Sequence, residues 1–153
     1  MMPTRHDHRA CIAEARRRAE QICADRGQRL TPLRAQVLRL VWQSHRPVGA
    51  YEVLEQLAKS HPAARPPTVY RALDFLLAQG LIHKIESRNA YLGCARAGKD
   101  HEGVFLICTS CGVAEEVIDP SITQALAAAA KRARFRAEGQ VVEINGVCAS
   151  CQH

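Results

Sequence analysis

Aromatic residues are scarce in this 153-residue chain, which has one Trp, three Tyr and three Phe. So few large rings limit the core, and small units of this kind commonly need a covalent or metal staple. No stretch approaches the roughly 18 consecutive apolar residues of a membrane span, and the opening MMPTRHDHRACIAEARRR is polar and basic, without an apolar signal region. The expectation is a cytoplasmic protein with no membrane partner. Internal repeats and low-complexity tracts are also missing. So are the signatures of zinc enzymes: no His-x-Glu occurs, Ile107 and Val147 stand where a deaminase has Pro before Cys-x-x-Cys, and His101-Glu102 lacks the second His of a protease helix. These absences argue against an enzyme and against a small-molecule substrate.

Cysteine, by contrast, is plentiful and patterned. Cys108/Cys111 and Cys148/Cys151 form two Cys-x-x-Cys pairs with 36 residues between them. Two such turns supply four thiolates, enough to enclose a tetrahedral Zn2+, and a site of four thiolates has no open position for water or substrate. The competing reading is two redox pairs or two disulfides. A reducing compartment and the absence of a following helix favour a structural zinc. Charge is unevenly placed. Residues 1–80 carry 13 Lys and Arg against 7 Asp and Glu, a net of +6, whereas residues 81–153 carry 8 of each. A basic first half suits a polyanionic partner, although solubility alone would also explain it.

Apolar spacing predicts helices over 8–26, from Thr31 (cap) and Pro32 to the break at Pro47-Val48-Gly49, over about 50–60, and over 68–79. On the last of these Val69, Leu73, Leu76 and Leu77 share one arc, with Thr68, Arg71 and Phe75 opposite. Two alternating runs, 81–86 and 90–94, read as a β-hairpin. Helices followed by a hairpin are the layout of a winged helix-turn-helix. After the polar segment 95–103, strands over 104–108 and 113–118, a helix over 120–135 and a strand over 140–144 follow. The Ala-rich helix face of Ile122, Leu126, Ala129, Ala130 and Ala133 is expected to pack close against a sheet. The expected fold class is α+β: a winged-helix DNA-binding domain (1–94), a linker (95–103) and a small α/β dimerisation domain (104–153).

The stretches RLTPLRAQVL, PPTVYRALDFLLAQGLIHKIES, LICTSCG and GVCASC closely resemble the Fur family of metal-dependent repressors, and within it the zinc uptake regulators, from about Ala19 to Cys151. The resemblance implies a homodimer that binds palindromic operator DNA when a regulatory metal is bound, repressing zinc-uptake genes. It also implies a sensory zinc on His83, Cys94, His101 and Glu116, with Glu115 or Glu102 as alternatives to Glu116. One thiolate, two imidazoles and a carboxylate form a set that favours zinc over iron or manganese. Arg71 is the candidate base contact, Tyr51 a family position that approaches bases, and Thr68 and Tyr70 phosphate contacts near a helix N-terminus. The segment GKDHEGVFLIC has His101 alone where iron and peroxide sensors carry a His-rich cluster. Sensing of another metal or of peroxide, and constitutive DNA binding with structural zinc only, remain the alternatives. Cys11 and Cys23 read as inert thiols, and His6, His8, His45, His61 and His153 have no partners at metal spacing.

Overall fold

The computed structural model describes residues 7–99, 101 and 103–153. The chain forms two compact units, 1–99 and 100–153.

In the first unit, α1 (His8–Asp25) precedes α2 (Pro32–Val41), α3 (Ala50–Leu57) and α4 (Pro66–Ala78), followed by β1 (Ile82–Ile85) and β2 (Ala90–Gly93). Short polar residues cap α1 and α2. Asp7 Oδ1 accepts from Arg9 N at 2.9 Å, and Thr31 Oγ1 accepts from Arg34 N at 3.3 Å, each satisfying an otherwise orphaned donor. Two prolines open α4, two residues earlier than the spacing predicts, because fixed φ suits the first turn. Thr68 Oγ1 reaches back to accept from Arg65 N at 3.3 Å. Val37, Leu38 and Val41 of α2, Val53 and Leu57 of α3, and Val69, Leu73 and Leu76 of α4 form the core, closed by Ala19 and Cys23 from α1. The hairpin register is Ile82↔Gly93 through Ile85↔Ala90, and Asn89 (φ 45°) supplies the left-handed residue of its turn. Val48 does more than break a helix: it bridges Tyr91 through two backbone bonds of 2.9 and 2.8 Å, adding a short third edge to the wing.

Phe75 corrects the helical-wheel expectation. It is partly buried against the core, and the Arg34 guanidinium lies 3.7 Å from its ring centroid. A wheel drawn on one helix cannot register a neighbour that covers its flank.

The second unit is a three-stranded sheet in the order β4-β3-β5, with β3 (Gly103–Cys108), β4 (Ala114–Val117) and β5 (Val141–Gly146), and one helix, α5 (Pro120–Arg132). β3 pairs antiparallel with β4 and parallel with β5. Asp119 Oδ1 caps α5, accepting from Ser121 N at 2.9 Å, and Ser121's hydroxyl and amide hold its carboxyl below the usual range. The expected close packing of α5 is not found: none of its residues is buried, and Leu126 is 37% exposed. An alanine strip has little side-chain reach, so it is covered only where another backbone comes very near.

One glycine in the wing is fixed by packing. A Cβ at Gly93 would lie 2.3 Å from Trp42 Cε2, so the indole packs directly against the backbone there. Gly93→Ala is expected to lower unfolding stability by about 1–3 kcal/mol, read from denaturant melts with both units followed separately. An unchanged midpoint would show that the indole moves aside freely.

Candidate metal centres and nucleic-acid interface

The parallel pairing of β5 with β3 places Gly146 opposite Cys108, which delivers the second Cys pair to the first. The turn after β3 is tight. Gly112, at φ 78°, donates its N–H to the Cys108 carbonyl at 2.9 Å, a conformation that favours glycine. Thr109 ties this turn to the end of β5, donating from N and Oγ1 to the Gly146 carbonyl at 2.8 and 3.1 Å. The four sulfurs of Cys108, Cys111, Cys148 and Cys151 all lie within 4.8 Å of one another. Cys111 Sγ and Cys148 Sγ are 3.9 Å apart, near the roughly 3.8 Å implied by tetrahedral Zn–S bonds of about 2.3 Å. No disulfide joins any of the seven cysteines.

Backbone amides prepare this cluster for a cation. Cys148 N and Cys111 N donate to Cys108 Sγ at 3.4 and 3.5 Å. These bonds bring the Cys108 thiol down to about 5. Cys151 is pushed up to about 12, first by its hydrogen bond with Cys148, then by burial and by the neighbouring sulfurs. One thiolate therefore forms readily, and the Cys151 proton must be displaced by an arriving cation.

The other donors fall into two pairs, one in each unit. In the first unit His83 lies on β1 and Cys94 just beyond β2, with ligand atoms within 4.8 Å of one another. In the second, His101 Nε2 lies 2.7 Å from Glu116 Oε1, with side chains 10% and 9% exposed. Glu116 pairs with Phe105 and Glu115 with Leu106, so the two carboxylates face opposite sides of the sheet, and Glu116 is the one that meets His101. Glu102 lies outside the described residues.

Tyr51, in the first turn of α3, is 74% exposed, and Tyr70 on α4 is 41% exposed. Both border a shallow apolar notch with Leu54, Pro66 and Val69. Exposed rings beside an exposed Arg71 form a surface suited to contact rather than to solvation. Thr68 is partly buried and already accepts the Arg65 amide. Cys23 is buried, and burial raises its thiol. Sequence spacing missed one encounter: the His8 and His45 rings meet with centroids 4.8 Å apart. The two residues are remote in the chain, and no local pattern links them.

Cys148→Ser is expected to cost the chain one tightly held zinc by metal analysis and to lower the melting temperature of the second unit. Because bound metal replaces thiol protons, acid favours release. A chromophoric chelator should capture this zinc progressively as pH falls. Release that ignores pH would contradict a thiolate site.

The Ferric uptake regulator family model matches residues 25–145. The zinc uptake regulation protein of Escherichia coli (strain K12) is 42% identical over 87% of this chain and 78% of its own. A zinc uptake regulator complexed with zinc and DNA superposes with a TM-score of 0.85 at 38% identity, over 96% of each chain. Holo XcZur superposes with a TM-score of 0.81 at 45% identity, over 89% of this chain and 95% of that one. The chain belongs to the ferric uptake regulator family.

Proposed function

We propose that this chain is a zinc-responsive transcriptional repressor of zinc-uptake genes, which binds palindromic operator DNA as a homodimer when a regulatory zinc is bound. The observation that carries the reading is its likeness, over 96% of both chains, to a zinc uptake regulator complexed with zinc and DNA. It is a cytoplasmic DNA-binding protein and not an enzyme; among the described residues no helix is long and apolar enough to cross a membrane. Residues 1–94 read the DNA, 95–103 link, and 104–153 dimerise.

Cys108, Cys111, Cys148 and Cys151 hold the structural zinc and pin the chain's last strand to the β3–β4 hairpin. His83, Cys94, His101 and Glu116 hold the regulatory zinc, two ligands from each unit. That ion supplies a tie between units otherwise joined by a linker, and its tighter binding to the DNA-competent arrangement shifts the population toward it. What supports the assignment is a matched pair of donors in each unit, of types that suit zinc.

On the DNA side, Arg71 reads a guanine edge bidentately, Tyr51 approaches bases, and Thr68 and Tyr70 meet phosphates near the α4 N-terminus. Dimerisation covers the strip left bare on α5 and the exposed Leu106, Val141 and Ile144 of the sheet.

Cys94→Ser is expected to fold, keep one zinc per chain and lose zinc-dependent operator binding in zinc-buffered anisotropy titrations. A variant that still responds to zinc would remove Cys94 from the sensory site. Arg71→Ala should weaken zinc-loaded operator binding by about 10- to 100-fold and relax the preference at one base per half-site. A uniform loss across all sequences would make Arg71 a phosphate contact instead.

A further inference from the structure

The residues that follow Cys94 are packed on α1. Arg18 donates from Nη1 to the Ala95 carbonyl oxygen at 2.9 Å, across 77 positions of sequence. The same guanidinium donates from Nε to Glu14 Oε1 at 2.9 Å. Glu14 also accepts from Arg17 at 2.7 Å, and Arg17 first, then Arg18, holds its carboxyl below the usual range. The carboxylate therefore stays charged and aims Arg18 at the segment that follows Cys94. Ala97 packs against the core of the first unit. At Gly98 (φ 84°) a Cβ would come 3.1 Å from Ile22 Cδ1 of α1. On the wing side, Cys94 N donates to the Leu81 carbonyl at 3.1 Å. The backbone carrying Cys94 is thus held from both directions, by the wing before it and by α1 after it.

We propose that Arg18 is a positioning residue for the regulatory zinc: by clasping the Ala95 carbonyl it fixes the backbone that presents Cys94, and so lowers the free zinc concentration at which that site fills. The inference rests on Cys94 being a sensory ligand. A thiolate already held in place surrenders less conformational freedom when it ligates, so the affinity it contributes is larger. An exposed ion pair such as Arg18–Glu14 adds little to global stability. The Arg18–Ala95 bond is likewise exposed, so its effect falls on ligand presentation more than on global folding. It also makes α1 part of the sensing device and moves the start of the free linker beyond Gly98.

The test uses the full-length protein carrying its structural zinc, without DNA. The second zinc is titrated against a chromophoric chelator, and Cys94 alkylation is followed by mass spectrometry before that zinc is added. Arg18→Ala should raise the zinc concentration for half-filling about three- to tenfold, since one hydrogen bond is lost. Cys94 alkylation should quicken by a similar factor, with the melting temperature nearly unchanged. Arg18→Lys should restore part of the effect, and Glu14→Gln, which removes the aiming carboxylate, should show a smaller shift in the same direction. Arg16→Ala removes a neighbouring charge that pairs with Glu20 and should match the native chain. Cys94→Ser run alongside separates the two ideas. If it fills the second site like the native chain, the sensory assignment fails. If it does not, while Arg18→Ala matches the native chain in both readouts, the positioning role alone is overturned.

Discussion

The proposed regulation depends on a division of ligands: His83 and Cys94 belong to the first unit, and His101 and Glu116 to the second. A metal held wholly inside one unit could stabilise that unit but could not report on the other. An ion drawing on both has different affinities for different arrangements of the units, and such a difference is the only means by which a ligand shifts a conformational equilibrium. The same logic makes the coupling reciprocal, so operator DNA must raise zinc affinity by the factor with which zinc raises operator affinity. The four-cysteine cluster stands outside this exchange. Its four cysteines all belong to the second unit, and the zinc proposed for them would be enclosed by four thiolates and hold a small sheet together.

Much of this was legible in the sequence because the chemistry is local. Pro32 after Thr31 and Pro66-Pro67 mark helix starts by fixed geometry, and the structure has helices beginning at Pro32 and Pro66. The apolar spacing of Val69, Leu73 and Leu76 points to the face that is buried. The Cys-x-x-Cys pairs announce themselves because each turn brings its own two sulfurs together.

What escaped the sequence is contact between remote segments. Phe75 sits on the outward arc of an isolated helix, yet Arg34 of α2 covers it. The His8–His45 encounter and the Arg18–Ala95 bond join positions that no periodicity relates. The bare alanine strip of α5 has another origin. Apolar spacing reports that a face needs covering but not whether the same chain or a second copy provides the cover, and here no α5 residue is buried within the chain. Which of Glu115 and Glu116 lies beside His101 depends on strand register, since adjacent residues on β4 face opposite sides of the sheet.

The most direct test of the central claim is zinc K-edge absorption on the dimer loaded with one and then two equivalents of zinc per chain. The first equivalent should show four sulfur neighbours. The difference contributed by the second should show one sulfur near about 2.3 Å and three nitrogen or oxygen neighbours near about 2.0–2.2 Å. A second ion without any sulfur neighbour, or one bound equally well by the Cys94→Ser chain, would contradict a zinc shared by His83, Cys94, His101 and Glu116.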